Sequence, residues 1–283
     1  MTFPNMIRGK IDFKSVPVQA GVISDIINLD IEASDYFQRL DDLIGADQGV
    51  ASLVLRVVNS PLYSRGNKVG TIPLAISLLG YSVLRSLALL AFSRSLFSET
   101  RHEAFRLHIW QHSLLTAIAS QRICQSLGES GNGDEAFIAG LMHDIGKVLM
   151  FTQHPKLYQQ VFDHMFASDC SSAEAEQRFF GFDHYQVGAE AVREWRLPDR
   201  FNAYMGAALS HAVEANAIST SLMAANVLLK SAGIGARAVE TPEARRSGLQ
   251  ACGLDDALCD SLLQDAFIDS LRESEIYKLC MSS

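Results

Sequence analysis

The chain has 283 residues, of which 48% are hydrophobic and 20% charged; it can bury a large core as one big or two modest domains and lacks the composition of a disordered arm. Lys and Arg number 24 against 32 Asp and Glu, a formal net charge of -8, so no global positive field draws nucleic acid or an anionic membrane. Five cysteines without a CxxC pair argue against a disulfide framework, and no apolar leader or window of about 18 apolar residues is present, so a cytoplasmic protein with no membrane or nucleic-acid partner is expected.

Nearly every segment carries helical periodicity, and β-branched runs with two-residue alternation are missing. The fold class expected is all-α, a two-lobed helical bundle with an N-terminal lobe over 1–100 and a second lobe over 101–283. Tyr36, Phe37, Leu40, Leu43 and Ile44 form one apolar stripe, and Val50, Leu53, Val54, Val57 and Val58 form the next. Asn59 to Gly70 is a loop by its Pro, Gly and Asn content. There Asn59 can cap the preceding helix and Tyr63 can wedge between lobes, or Asn59, Tyr63 and Arg65 can meet a partner. Thr71 and Pro73 open a helix that stops near Gly80. Ser82 to Phe97 is apolar around most of its circumference, which predicts burial between the lobes, with Arg85 paired to a carboxylate across the boundary.

The second lobe opens on a long helix from about Arg101 to Leu127, and Asp134 is expected to cap the next. Ser171 with Glu174 predicts a capping box on a short helix reaching Phe180. A helix from His184 to Trp195 halts at Leu197-Pro198, and one from Asn202 to Leu209 places His211 just past its end. Ile218 to Lys230 is helical, and Thr241 to Ser283 adds two more helices. Phe179, Phe180, Phe182 and Trp195 are expected as packing aromatics.

The run Gly140-Leu141-Met142-His143-Asp144-Ile145-Gly146-Lys147 offers a divalent metal one nitrogen and one carboxylate from adjacent residues. His112 upstream and His184 and His211 downstream belong to separate predicted helices, so a bundle can bring them to the pair. His108 and His112 share a helix face at the spacing of a two-histidine grip, although an exposed pair on a polar stripe is the commoner outcome. Lys147 can lean over the face of His143 and Asp144, where its charge suits phosphate oxygens, or it can complement the helix dipole near a helix end.

Leu55 to Tyr63, Ile72 to Ile76, Leu78 to Gly80, Ala139 to Lys147 and Phe179 to Pro198 resemble, in order and spacing, the HDOD family, over about residues 12 to 230. HDOD modules are relatives of the HD phosphohydrolases with an added N-terminal helical lobe; they are regarded mainly as bacterial signalling modules, many without a complete metal site. The resemblance implies that His112 is the first histidine of the HD pattern, that His143 and Asp144 are its doublet, and that His184 and His211 are the additional histidines of two-metal relatives. Asn226 occupies the place of the closing aspartate and offers a neutral oxygen where a carboxylate is expected, which weakens affinity for a hard cation and disfavours full turnover. The segment after His211 carries neither a second histidine nor the Gly-Tyr-Pro motif of cyclic dinucleotide phosphodiesterases.

The implied metal ligands are therefore His112, His143, Asp144, His184, His211 and Asn226, for iron, manganese or zinc, with Asp144 and Lys147 as the implied catalytic pair. Two function classes follow from the resemblance. One is a signal-transduction module, non-enzymatic or weakly active, that binds a signalling protein. The other is a metal-dependent phosphohydrolase acting on a phosphorylated small molecule or nucleotide.

Overall fold

The computed structural model describes residues 3–13, 19–30, 32–60, 63, 68–98, 103–168, 170–206, 216–235 and 240–281, and among them every regular element is helical. In chain order these are α1 (Phe3–Arg8), α2 (Gln19–Ile27), α3 (Tyr36–Gly45), α4 (Gln48–Val58), α5 (Ile72–Leu79) and α6 (Tyr81–Ser98). A short α7 (Glu103–Phe105) passes through a π-helical turn (Arg106–Gln111) into α8 (His112–Ser126). There follow α9 (Gly133–Met142), α10 (Ile145–Gln153), α11 (Pro155–Ser168), α12 (Ser172–Phe180), α13 (His184–Glu194), α14 (Arg200–Gly206) and α15 (Ala217–Ser231). The C-terminal run is α16 (Pro242–Ala251), α17 (Asp256–Leu262), α18 (Asp265–Arg272) and α19 (Glu275–Met281). The chain is all-α, as its periodicity predicts.

Local signals set many of these boundaries. Asp47 accepts from Val50 N at the start of α4 and Thr71 from Leu74 N at the start of α5, where Pro73 sits in the first turn without needing an N–H partner. Ser171 with Glu174 and Asp183 with Gln186 both form reciprocal capping boxes, so α12 and α13 have their first orphan amides satisfied by their own sequence. Asn59 closes the loop that follows α4: its Nδ2 donates to Leu55 O (2.7 Å) and Val69 O (2.8 Å), and its Oδ1 accepts from Val69 N (2.8 Å). Tyr63 packs against the core, and Arg65 lies outside the described residues.

The apolar circumference of α6 is explained by its neighbours. Leu84, Leu87, Ala88, Leu89 and Leu90 are buried where α6 contacts α2, α4 and α5 together with α9. The carboxylate expected opposite Arg85 is absent among the described residues: Arg85 Nε has no hydrogen-bond partner and its charge lies near Tyr36. Arg85 is only partly buried, so its charge keeps a share of its hydration and no ion pair is required.

The chain start docks onto the second half of the sequence. Arg8 donates from Nε to the buried Glu190 (2.7 Å), Lys10 Nζ donates to Phe180 O (2.7 Å), and Trp195 Nε1 donates to Phe13 O (3.2 Å). Phe180, Phe182 and Trp195 are buried and Phe179 half-buried, as expected of packing aromatics. No described helix is long and apolar enough to cross a membrane.

Candidate metal centre

The His-Asp pair does not lie within one helix. α9 stops at Met142, His143 is its C-cap, and Asp144 (φ -103, ψ 17) is the N-cap of α10. Asp134, expected as a cap, is inside the first turn of α9, where its charge suits the dipole; Asn132 precedes it without a side-chain cap bond. Two glycines allow the helices around this break to touch backbone to backbone. A Cβ at Gly140 would lie 2.6 Å from Ala117 Cα on α8, and one at Gly146 would lie 1.9 Å from the His184 carbonyl oxygen at the start of α13. The π-helical turn before α8 supplies an extra residue just ahead of His112, a distortion often found beside functional residues.

These contacts bring four predicted residues onto one carboxylate. Asp144 Oδ2 lies 3.4 Å from His143 Nε2 and 3.8 Å from His112 Nε2, and Oδ1 lies 3.4 Å from His184 Nε2. Asn226 from α15 approaches with Oδ1 3.1 Å from His112 Nε2. Lys147 Nζ donates to Asp144 Oδ2 at 2.8 Å. Lys147 is in the first turn of α10, the wrong end of a helix for a cation to favour the dipole, so the carboxylate and not the dipole holds it. All six side chains are buried, Lys147 being 6% exposed.

The histidine partners fix the direction of the ring lone pairs. Each Nδ1 faces an oxygen: Gly140 O for His143 (2.7 Å), Ile234 O for His112 (3.1 Å) and Glu176 Oε2 for His184 (2.5 Å). A neutral imidazole donating from Nδ1 has only a lone pair at Nε2. Burial opposes a second proton, holding His112 well below the ordinary histidine pKa and His143 at about 4, despite the pull of Asp144. The Nε2 lone pairs of His112 and His143 thus converge on a carboxylate whose other oxygen faces His184 Nε2. His143 Nε2, His184 Nε2 and Asp144 Oδ1 have no hydrogen-bond partner among the described residues. Acceptors facing acceptors in a buried site repel unless a cation lies between them, and these residue types are those that bind divalent metals. The ligand atoms of His112, His143 and Asp144 lie within 4.8 Å of one another, and the donor set fits a metal ion.

Asp144 remains ionised well below the usual carboxylate range. Burial alone would raise its pKa, but His143, Lys147, His184 and Lys230 outweigh it. For His143 the sign runs the other way from a salt-bridged histidine. Its folded pKa is depressed, so the unfolded chain takes up a proton first, and stability present above about pH 6.5 is lost as the pH falls toward about 4. The loss amounts to about 3 kcal/mol for this residue, with His112 adding in the same direction. Urea unfolding in chelator at pH 7, 6 and 5 should show this decline; equal stability at all three values would mean the two rings are not buried as neutral bases.

The HDOD domain model matches residues 16–211, well over half of the chain. The chain belongs to the HDOD family. Among solved structures it is similar to an HDOD domain protein of unknown function from Geobacter sulfurreducens, at 24% identity and TM-score 0.76, covering 97% of this chain and 96% of that one. It is also similar to a Shewanella amazonensis SB2B protein named as a candidate metal-dependent phosphohydrolase (21%, TM-score 0.66, 98% and 95% covered). A third, a candidate signal transduction protein from Marinobacter aquaeolei VT8, matches at 22% with TM-score 0.71, over 95% of this chain and 59% of that one. At these identities the likeness is one of fold. No curated protein matches the chain significantly.

Within this HDOD chain, His211 lies outside the described residues. His108 shares the His112 face, since its Nδ1 lies 2.9 Å from Gly235 O beside the Ile234 carbonyl that holds His112, but it packs on Phe162 and Phe166 and takes no place in the cluster. Sequence reasoning missed Glu176, Tyr158 and Lys230. Glu176 Oε2 accepts both the ring N–H and the backbone N–H of His184 (2.5 and 2.8 Å), while Oε1 accepts from Tyr158 OH (2.5 Å). A carboxylate behind a histidine is a common support for a metal ligand, yet within Ser171 to Phe180 Glu176 resembles any surface acid. Lys230 acts electrostatically on His112, His143 and Asp144 from the end of α15, one turn beyond Asn226. That i, i+4 relation to Asn226 was the available signal.

Proposed function

We propose that this HDOD chain is a bacterial signal-transduction module whose buried centre holds one divalent ion as a structural or regulatory element, with iron, manganese and zinc all compatible with its mixed nitrogen and oxygen donors. His112, His143, Asp144 and His184 are the ligands of this reading, with Asn226 Oδ1 at the margin and His211 a further implied ligand. The observation that carries it is closure: Asp144 is 1% exposed, His112 and His184 are 0%, and the Lys147 ammonium in contact with the carboxylate is already engaged. A phosphoester must reach both metal and nucleophile to be cleaved, and among the described residues these side chains are closed to solvent. When bound, the ion supplies a positive centre that neutralises the converging acceptors and, for a substrate admitted to it, Lewis-acid polarisation.

The second reading, a metal-dependent phosphodiesterase or nucleotidase with Asp144 and Lys147 as its catalytic pair, is favoured by one feature. Lys147 and Lys230 set two cations beside the cluster, a disposition suited to phosphate oxygens. Elemental analysis of untagged protein, with phosphate release from a generic phosphodiester in added manganese or iron, separates the two. The signalling reading expects about one ion per chain and no turnover. Turnover that disappears in Asp144→Asn would overturn it, and protein free of metal that shows no thermal shift with any of the three ions would remove the centre. Asn226→Asp should tighten binding by about tenfold or more, because an anionic oxygen replaces a neutral one.

A further inference from the structure

The first lobe carries an apolar cleft far from the histidines in sequence. It has a volume of about 580 Å³ and is walled by one face of α3 (Phe37, Gln38, Asp41) and one face of α5 (Pro73, Ile76, Ser77), closed by Tyr81. α5 contains no charged residue, yet only Ile72, Ala75 and Ile76 are buried on it. Phe37, which lines the cleft, is 59% exposed, and on α5 Leu74 (44%) and Leu78 (53%) stand exposed beside the lining residues Pro73 and Ser77 as a rim of the cleft. A helix of a soluble protein ordinarily turns charge to water, so an uncharged face with two leucines one turn apart beside an open aromatic is a surface suited to being covered.

Charge around the cleft selects what covers it. Among the described residues that line it no lysine or arginine occurs and Asp41 does, the exposed Arg39 of α3 standing outside the lining. Asp42 lies one turn behind Gln38 and accepts its amide at 2.8 Å, and Asp30, Glu32 and Asp35 are exposed just ahead of α3. A second copy of this chain would set that acidic rim against itself, and an anionic membrane would be repelled by it.

We propose that the α3–α5 cleft is the docking groove for an amphipathic helix of a partner protein, one carrying leucine or phenylalanine anchors at i, i+3/i+4 spacing and lysine or arginine on its flanks. The length of α5, 8 residues or about 12 Å, accommodates two to three turns of such a helix. The groove gives the signalling reading its partner and rests on that reading.

The test is fluorescence anisotropy of the full chain with three labelled peptides: a leucine/lysine amphipathic helix, the same residues shuffled to destroy the apolar face, and a leucine/glutamate counterpart. The expected result is saturable binding of the first alone, weakened about tenfold or more in Leu74→Ser/Leu78→Ser, and a shift in preference toward the glutamate peptide in Asp41→Lys/Asp42→Lys. All four positions are exposed or half-exposed, and unchanged far-ultraviolet dichroism verifies the variants. Equal binding of the shuffled peptide, or binding unaffected by both variants, overturns the groove. So does a concentration-dependent dimer, or adsorption to phosphatidylserine vesicles, that the leucine variant abolishes, since the occupant is then a second copy or a membrane. Loss of the groove in a chain without turnover leaves the signalling reading standing, whereas turnover in a chain that binds the peptide overturns that reading and not the groove.

Discussion

Replacing Gly146 by alanine is expected to destabilise the protein by about 3–5 kcal/mol and to lower its melting temperature by about 5–10 °C. The added Cβ meets His184 O at 1.9 Å, His184 C at 2.7 Å and His184 Cα at 2.9 Å. All three are backbone atoms, so no rotamer change relieves the overlap, and α10 must move away from α13. That movement separates the two halves of the centre, because Asp144 precedes α10 and His184 begins α13, with 3.4 Å between Oδ1 and Nε2. Loss of the divalent-ion thermal shift should accompany the loss of stability. Gly45→Ala is the control, since nothing lies within 4 Å of its Cβ position, and helix propensity makes that change neutral or mildly stabilising. Equal melting temperatures for Gly146→Ala and Gly45→Ala would show that the two helix starts are not in backbone contact.

The second large effect concerns the buried pair itself. In chelated protein, Asp144→Ala leaves the Lys147 ammonium, whose side chain is 7% exposed, without the carboxylate 2.8 Å away, and removing one member of a buried pair costs about 3–5 kcal/mol. Asp144→Asn should cost less. Its amide keeps an oxygen for Lys147 at the Oδ2 position and places its N–H at the Oδ1 position, where it can be donated to His184 Nε2, now 3.4 Å away and without a partner among the described residues. The double variant Asp144→Ala/Lys147→Met should recover most of the alanine loss, because it deletes both charges and leaves an apolar side chain in an apolar place. Divalent metal at about a thousand times its dissociation constant should add about 4 kcal/mol to the natural protein and nothing to any of the three variants. If Asp144→Ala were as stable as the natural chain in chelator, the ion pair would contribute nothing to the fold; if it kept the metal increment, Asp144 would not be a ligand.

The acid sensitivity predicted for His112 and His143 has the same origin as the affinity for a cation. Rings buried with both nitrogens committed, one to a carbonyl and one to the cluster, resist protonation. The lone pairs that refuse a proton are those a divalent ion takes, so metal and proton compete and the ion should bind more weakly as the pH falls.

By itself the sequence determined the helical class, most of the helices and the identity of several converging residues, although it predicts two helices after Thr241 where short turns divide the segment into four, α16 to α19. Helix periodicity and caps are local: the stripes of α3 and α4, Thr71 with Pro73, and the Ser171–Glu174 box act within a few residues of chain and are legible there. His112, His143, Asp144 and His184 were legible as residue types at family spacing, and the structure brings them within 3.8 Å of one carboxylate. Only the tertiary structure decided how they meet. The helix break between His143 and Asp144, the choice of Lys147 for the carboxylate over the dipole, and the support of His184 by Glu176 all follow from helix packing. So do the partly buried setting of Arg85, with no carboxylate opposite it among the described residues, and the docking of the chain start on α13. Packing depends on shape at contacts between segments distant in the chain, such as Gly140 against Ala117 and Gly146 against His184. A glycine's missing side chain signals such a contact only once its partner is in place, which is why the ligands could be read along the chain and the geometry of the centre could not.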